Sequence, residues 1–380
     1  MDETDATPDS VLQQALRSLQ ELLGAGWEIT ALPGPETPRA EDGVIDSRVQ
    51  VLPPDGQRFA ELLVIARTAL TPRDVETELR RISNVLRHAR SHQTLLVTSP
   101  WISARTQQAL QEHEISYLDL TGNASIAINH PSIRIKTHGA SRPPKSLTAN
   151  ESPSPRTVTL AGVRAGRVVR FLIDRRPPYR AGQIADATDV SLPWVSRLLG
   201  QLEDQLLIRR TGRMITEVRW PEILRARAET YDLLRHNSYV STVAINGQDA
   251  VLAQLAKAVH TATEQPRIAV TGSYATKRFA PYIVGGRLMI YVDPGPHTPD
   301  LWADRLDLMQ ADGGDVLFLR AYDQVVFEGT SNTRGVPYVA LSQLALDSLA
   351  GPDRLPAEGE RLLEYMIDHE NEWRMPFDRG

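Results

Sequence analysis

The sequence predicts a multidomain protein of mixed α/β and α+β class, and three observations support this fold class. The 380 residues are too many for one ordinary hydrophobic core, so two to four domains are expected. Residues 1–140 and 246–380 each alternate apolar runs with helical patterns, which is typical of α/β domains. Residues 156–220 instead combine short helices with two short strands, and the proline- and serine-rich residues 141–155 indicate a linker before them.

The first domain, residues 1–140, is predicted to open in the order αβββαβαβ. Its first helix covers residues 10–24, where leucines recur at helical spacing. Two further helices are predicted over 71–92 and 103–113, and strands over 27–32, 47–52, 58–67, 94–98, 116–120 and 133–137. The turn Thr121-Gly122-Asn123 beside Asp119 is interpreted as an Asx-type turn in preference to a ligand or DNA contact.

The central segment, residues 180–216, predicts a short helix, a tight turn, a second helix and two short strands. The turn falls at residues 188–190, and Ser191 is the expected N-cap of the second helix. Pro193 lies in the first turn of that helix, where its missing N–H is not needed. The two strands, which join at Thr211-Gly212-Arg213, complete a compact unit of about 65 residues, within 156–220.

The second of these helices has two chemically different sides. One side is predicted to form a single buried stripe of Leu192, Val195, Leu198, Leu199 and Leu202. The other side carries Pro193, Arg197, Gly200 and Gln201, with Trp194 and Ser196 on its flanks. Such a half-buried helix that presents an arginine outward suits the major groove of B-DNA, because Arg can bind guanine O6 and N7 together.

Further helices are predicted on both sides of this unit. One covers residues 163–174 and is stopped by Pro177-Pro178. The other covers 221–238 in a connecting segment, 221–245, and is expected to serve as a lever or a dimerisation helix. In the last domain, 246–380, helices are predicted over 248–263, 301–310, 341–350 and 357–368, and strands over 267–271, 288–293, 316–320 and 324–328.

Composition and charge limit the classes of function that the chain can have. No apolar run approaches the ~20 residues that span a bilayer. The chain has no cysteine, which excludes disulfides and cysteine-ligated metals, and with an acidic, polar N-terminus it favours a reducing cytoplasm. The net charge of −5 argues against a nucleic-acid partner, but the distribution of charged residues along the chain argues for one. Residues 156–219 hold twelve arginines, no lysine and six acidic residues, a basic module in an acidic chain.

The central residues resemble the winged helix-turn-helix signature of bacterial transcriptional regulators. The resemblance rests on residues 184–185, 190–191, 195–197, 199 and 202–203, and two positions depart from it: Asp189 and Leu206 stand where glycine is expected. It implies that the second helix enters the major groove of double-stranded DNA and that the wing contacts the backbone or minor groove. The DNA-binding residues are then expected to be Arg180, Ser191, Pro193, Trp194, Ser196, Arg197, Gln201, Arg209, Arg210 and Arg213. Arg197 would contact a base, Trp194 could instead pack at the edge of the core, and the other arginines and serines would contact phosphates or groove.

The first domain resembles the restriction-endonuclease-like fold in its order of elements. In that fold an Asp and a later Glu-x-Lys bind the catalytic metal, and Asp46 and Glu61 stand at the corresponding places. Leu63 replaces the lysine, so we expect a domain that keeps the fold without the chemistry.

The last domain resembles the nucleotidyltransferase fold at Thr271-Gly272-Ser273 and at residues 289–293. That fold uses Gly-Ser to hold a triphosphate and an Asp-x-Asp to bind metal, but Tyr291 replaces the first aspartate and only Asp293 remains. A Gly285-Gly286 insertion also separates the two motifs. A single carboxylate provides too few ligands for catalysis by two metal ions, so no catalytic residue, metal site or cofactor is expected here.

The chain is similar to AbiEi-family antitoxins and related actinobacterial regulators in the combination of the winged segment with this last region, which ends in residues 342–349 and a late helix. Three functions follow. The leading one is a cytoplasmic, DNA-binding transcriptional regulator, expected to act as a homodimer, whose flanking domains dimerise or sense a small-molecule effector. The second is an antitoxin-like autoregulator that opposes a toxin. The third, ranked last, is a metal-dependent nuclease or nucleotidyltransferase.

Overall fold

The computed structural model describes residues 7–32, 45–56, 59–88, 93–144, 159–262, 266–279, 286–293, 295 and 298–377. The chain divides into two compact units, one of residues 1–158 with 201–206 and one of residues 159–200 with 207–380. The predicted boundary between a winged domain and a last domain therefore does not separate compact units. Most of the predicted linker, residues 145–155, lies outside the described residues, as do residues 58, 89–92, 263 and 285 of other predicted features. Among the described residues no helix is long and apolar enough to cross a membrane.

The first unit is a seven-stranded sheet with helices on both faces. Its helices are α1 (Pro8–Leu23), α2 (Pro72–Asp74), a π-helical turn (Val75–Leu79), α3 (Arg80–His88) and α4 (Ala104–Glu112). Its strands are β1 (Glu28–Leu32), β2 (Ser47–Leu52), β3 (Ala60–Ala66), β4 (Thr94–Ser99), β5 (Ser116–Asp119), β6 (Ala124–Ile128) and β7 (Ile133–Thr137). The strands lie in sequence order, with β3, β4 and β5 parallel and the other neighbours antiparallel.

The central strand β3 shows why both faces of this sheet are covered. Successive side chains of a strand point to opposite faces. Leu62 and Val64 accordingly pack into the cluster beneath α1, whereas Leu63 and Ile65 pack into the cluster beneath α4 and the π-helical turn. The apolar run of β3 is thus explained by burial on both sides. Every strand predicted for this domain is present, and β6 is an additional strand between two of them.

The turn beside Asp119 is structural, as predicted. The carboxylate is 1% exposed and accepts hydrogen bonds from the main chain of Ile102, Thr121 and Asn123. It also accepts bonds from the Thr121 hydroxyl and the Asn123 side-chain amide. These donors hold the carboxylate at the end of β5, so the geometry supports the Asx-type turn.

The second unit contains the winged segment and a second seven-stranded sheet. Its helices are α5 (Gly162–Asp174), α6 (Ala181–Thr188), α7 (Leu192–Asp204), α8 (Trp220–Ala228), α9 (Leu233–His236), α10 (Gln248–His260), α11 (Ser273–Thr276), α12 (Pro299–Arg305), α13 (Leu341–Leu349), α14 (Leu355–Asp368) and α15 (Glu370–Trp373). Residues 201–204, at the end of α7, belong to the first unit. Its short strands in the winged segment are β8 (Arg175–Arg176), β9 (Tyr179–Arg180), β10 (Ile208–Thr211) and β11 (Met214–Val218). The remaining strands are β12 (Tyr239–Val243), β13 (Ile268–Thr271), β14 (Leu288–Val292), β15 (Met309–Gln310), β16 (Val316–Arg320), β17 (Ser331–Thr333), β18 (Val336–Tyr338) and β19 (Met375–Pro376). The large sheet has the order β15-β12-β16-β14-β13-β18-β17.

Three predicted elements of this unit are wrong. The long helix over 221–238 ends at Ala228, and the Asp232 side chain caps the separate helix α9, so the segment is not a lever. Residues 324–327 form a 3-10 helix and not a strand, because Asp323 accepts the main-chain N–H of Val325. The helix predicted over 301–310 ends at Arg305 and is followed by β15.

Candidate nucleic-acid interface

The winged segment has its own apolar core, formed where α5, α6 and α7 meet the short strands. The buried side chains come from the three helices, the turn between α6 and α7, and the strands β9 and β11: Val168, Leu172, Tyr179, Ile184, Val190, Val195, Leu199, Ile215 and Val218. Strand β9 pairs with β11, and β11 pairs with β10, so the wing is a three-stranded sheet. The predicted helix, turn, helix and wing are all present at the predicted places.

The turn between α6 and α7 places Asp189 in the left-handed region, with φ 52° and ψ 42°. Val190 N–H then donates to the carbonyl of Ala185 at 3.3 Å, which closes the end of α6. Leu206, after α7, also has a positive φ of 54°. Both positions where the sequence departs from glycine therefore need the backbone conformation that glycine adopts most easily.

We expect Asp189→Gly to stabilise the protein by up to about 1 kcal/mol, because it removes the cost of a Cβ in the left-handed region. The Asp189 carboxylate is fully exposed and lies 3.9 Å from Arg167, so its loss costs little. Thermal unfolding should show a midpoint about 2–4 °C higher. Asp189→Ala is the matched control: it removes the carboxylate and keeps the Cβ, so a rise of the same size in that variant would contradict the strain argument.

Helix α7 exposes most of the face that the sequence assigns to DNA. Pro193, Ser196 and Arg197 are exposed, while Trp194 and Gln201 are half-buried. On the opposite side Val195, Leu198, Leu199 and Leu202 are each no more than 3% exposed. The predicted stripe is wrong at its first member, because Leu192 is 48% exposed. Leu192 begins the helix and lies beyond the end of the core that the other four residues fill.

The remaining predicted contacts lie around this helix. Arg180 and Ser191 are exposed; the main-chain N–H of Arg180 donates to Gln183 Oε1 at the start of α6. Ser191 occupies the predicted N-cap position, since its carbonyl accepts the N–H groups of Trp194 and Val195, each at 3.0 Å. These bonds fix the start of α7, and Ser191 itself is exposed to solvent.

The wing presents two exposed arginines and one half-buried arginine. Arg213 is exposed in the turn between β10 and β11, whereas Arg210 is half-buried and approaches the α-carbon side of Gly200 on α7. Arg209 is exposed and lies 3.4 Å from Glu217 on the paired strand. Exposed pairs of this kind are weak, so Arg209 is available to other anions. The wing therefore presents exposed Arg209 and Arg213, and the outer face of α7 presents exposed Arg197.

The winged segment is attached to the rest of its unit through two arginines of α5. Arg167 donates from Nε and Nη2 to the two carboxylate oxygens of Asp323, at 3.1 and 2.8 Å. Arg170 is 1% exposed and donates to the Gln343 side chain at 2.8 Å. These contacts span more than 150 positions along the chain, and no local pattern predicts them.

The end of the chain also completes the winged segment, a feature that the sequence patterns missed. Strand β19 pairs in parallel with β8. Arg374 is 4% exposed and donates to the carbonyls of Leu172 and Ile173, in the last turn of α5, at 3.0 and 2.8 Å. Phe377 packs edge-on against Phe171 at 5.2 Å between ring centroids. Residues 374–377 are therefore part of the structure that holds α5.

A buried polar network continues from Arg170 into the large sheet. Gln343, which accepts from Arg170, donates to Asp347 at 2.8 Å. Asp347 is fully buried on α13 and also accepts the hydroxyls of Thr271 and Tyr291, at 2.7 and 3.0 Å. Burial raises the pKa of Asp347 to about 6, although the three donors and Arg170 oppose the shift.

The raised pKa of Asp347 predicts a pH-dependent stability. The folded protein keeps the Asp347 proton up to a pH of about 6, whereas the unfolded chain, with the ordinary aspartate pKa of 3.8, loses it near pH 4. The favourable contribution to folding is therefore lost as pH rises from about 4 to 6. In Asp347→Asn the amide oxygen can accept from Gln343 and Tyr291, and its NH₂ can donate to the Thr271 hydroxyl. The variant should therefore gain stability relative to the wild type by about 3 kcal/mol between pH 4 and 7. Denaturant titrations of both proteins measure this, and a difference that is constant with pH would contradict it.

The carboxylates singled out for catalysis do not converge in the first unit. Asp46 accepts the N–H of Ala66 at 2.8 Å and Arg67 Nη1 at 3.1 Å. Glu61 accepts Arg48 Nε at 2.7 Å. Glu61 pairs with Gln50 in the β2–β3 ladder, so Asp46 lies four residues away from Glu61 along it, or ~13 Å. Each carboxylate is thus paired with an arginine at a separate place.

The corresponding residues of the second unit are also engaged. Ser273 is buried and donates to Glu358 at 3.1 Å. Asp293 accepts the Gln324 side chain at 3.1 Å, and Tyr291, in place of the other aspartate, is buried and bonded to Asp347. Among the described residues no three carboxylates or histidines are grouped so that they could hold a metal ion.

Comparison with known proteins identifies the winged segment. The family model of the IclR helix-turn-helix domain matches residues 163–212, from α5 to the tip of the wing. The chain therefore contains an IclR-type helix-turn-helix domain, which is associated with DNA-binding transcriptional regulation. No curated protein and no solved structure matches the chain significantly. The comparisons give no support to the predicted similarity to AbiEi-family antitoxins.

Proposed function

We propose that this protein is a sequence-specific DNA-binding transcriptional regulator that acts as a homodimer. The observation that carries the proposal is the match of the IclR helix-turn-helix domain to a segment whose second helix has an exposed face and an outward arginine. In such modules the N-terminal part of the second helix contacts base edges in the major groove, and dimers bind two half-sites.

The exposed residues support a division of roles within this interface. Arg197, on the outer face of α7, is positioned to bind a guanine through two hydrogen bonds. Arg180, Arg209 and Arg213 are exposed around that helix and suit the phosphates on either side. Binding to all sequences then depends on the wing and flanking arginines, and discrimination between sequences depends on α7.

In this proposal the first unit and the large sheet of the second unit dimerise the protein or sense an effector, and they catalyse no reaction. We propose that they keep the restriction-endonuclease-like and nucleotidyltransferase-like folds without the chemistry. The strand order of the first unit supports the former. The pairing of Asp46 and Glu61 with arginines supports the loss of a metal site.

The test is in vitro selection of DNA sites by the purified full-length protein at two salt concentrations. The expected result is an enriched motif, palindromic with half-sites about one helical turn apart, that persists at the higher salt. Binding that is salt-sensitive and equal for all sequences, with no enriched motif, would contradict a sequence-specific regulator. Failure to cleave DNA or transfer nucleotides in Mg²⁺ and Mn²⁺ is also expected, and metal-dependent turnover would contradict the proposed absence of catalysis.

A further inference from the structure

Leu192 is an apolar side chain in an unexpected place. It begins α7 and is 48% exposed, while Val195 and Leu199, the next members of the apolar stripe, are fully buried. Single exposed leucines are common on proteins, so exposure alone assigns no role. The position of Leu192 on the helix is what makes it informative.

Leu192 lies in the turn of α7 that the proposed function places deepest in the major groove. At ~100° per residue it lies ~40° from exposed Ser196, one turn further on, while exposed Arg197 lies ~140° away at the other edge of the exposed surface. In helix-turn-helix proteins the N-terminal residues of this helix contact base edges. A leucine at the first position is therefore presented to DNA together with the arginine five residues later.

The chemistry of the major groove limits what a leucine can recognise there. Leucine has no hydrogen-bond donor or acceptor in its side chain, so it cannot distinguish the nitrogen and oxygen atoms of the base edges. Thymine is the one base that offers a methyl group in this groove. We propose that Leu192 recognises a thymine through its 5-methyl group, at a base other than the one that Arg197 contacts. This inference rests on the proposed function and adds a second specificity-determining residue.

The experiment uses the full-length protein and its selected DNA site. Each thymine of the site is replaced singly by deoxyuridine, which removes the methyl group and leaves base pairing unchanged. In each half-site, replacement of one particular thymine should weaken binding by the wild type about fourfold. This is the expected cost of losing the burial of one methyl group. Leu192→Ala should bind the unmodified site more weakly by a similar factor and be indifferent to the same replacement.

Leu301→Ala is the matched control. Leu301 is 47% exposed and lies in the first turn of α12, outside the winged segment, so the variant should keep the full penalty for deoxyuridine. Arg197→Ala should keep it as well. A penalty that persists in Leu192→Ala, or that is absent at every thymine in the wild type, would overturn the inference and leave the regulator intact. A wild type that selects no motif would overturn the proposed function and this inference together.

Discussion

Arg197→Ala is expected to weaken binding to the selected DNA site by about 1–3 kcal/mol, or roughly fivefold to more than a hundredfold. Arg197 is exposed on the outer face of α7, and its neighbours on that face carry no other cationic group. A bidentate arginine–guanine contact is worth about this much against the wrong base. The loss should be confined to the specific site, with relaxed preference at one base pair.

Arg213→Ala provides the contrast, because Arg213 is exposed in the turn of the wing. Loss of a phosphate contact should weaken binding to all sequences alike and reduce the salt dependence by about one counterion. Equilibrium binding of both variants to specific and random duplexes, at several salt concentrations, separates the two roles. Equal losses on specific and random DNA in Arg197→Ala would show that Arg197 contacts phosphate and not a base.

The helix-turn-helix and the wing could be predicted from sequence because their determinants are local. The stripe of α7, the turn at Asp189 and the wing turn each depend on neighbours within a few residues, and the periodicity of apolar side chains reports them. Leu192 was misplaced because periodicity continues to the first residue of a helix, whereas the core ends one turn later. Burial at a helix end is decided by packing and not by spacing.

The connections of the winged segment could not be predicted in this way. Arg374 caps α5 from about 200 positions away, and β19 pairs with β8 through two residues that carry no strand pattern. The 3-10 helix at residues 324–327 depends on one side-chain cap from Asp323. Such features arise from tertiary contacts, which override weak local preferences.

Arg170→Ala is expected to have the largest effect on stability, a loss of about 3–5 kcal/mol of unfolding free energy. The guanidinium is 1% exposed, pairs with Asp174 at 3.0 Å and donates to Gln343 at 2.8 Å. It also donates to the carbonyls of Val325 and Glu328, at 3.3 and 3.1 Å. Its removal takes the donor from the fully buried Gln343 side chain, which costs about 1–3 kcal/mol, and breaks the pair with Asp174, whereas the Val325 carbonyl keeps the N–H of Glu328.

Arg225→Ala is the matched control, since Arg225 donates to Glu360 at 2.8 Å but both side chains are about half exposed. Its loss should cost no more than about 1 kcal/mol. Denaturant unfolding measures the free energy of unfolding of both variants. A third variant, Arg170→Met, keeps most of the side-chain volume and therefore separates the contribution of hydrogen bonding from that of packing. Because the buried acceptors and not the volume are decisive, Arg170→Met should lose nearly as much as Arg170→Ala. A Met variant close to the wild type would show that Arg170 stabilises α5 mainly by filling space.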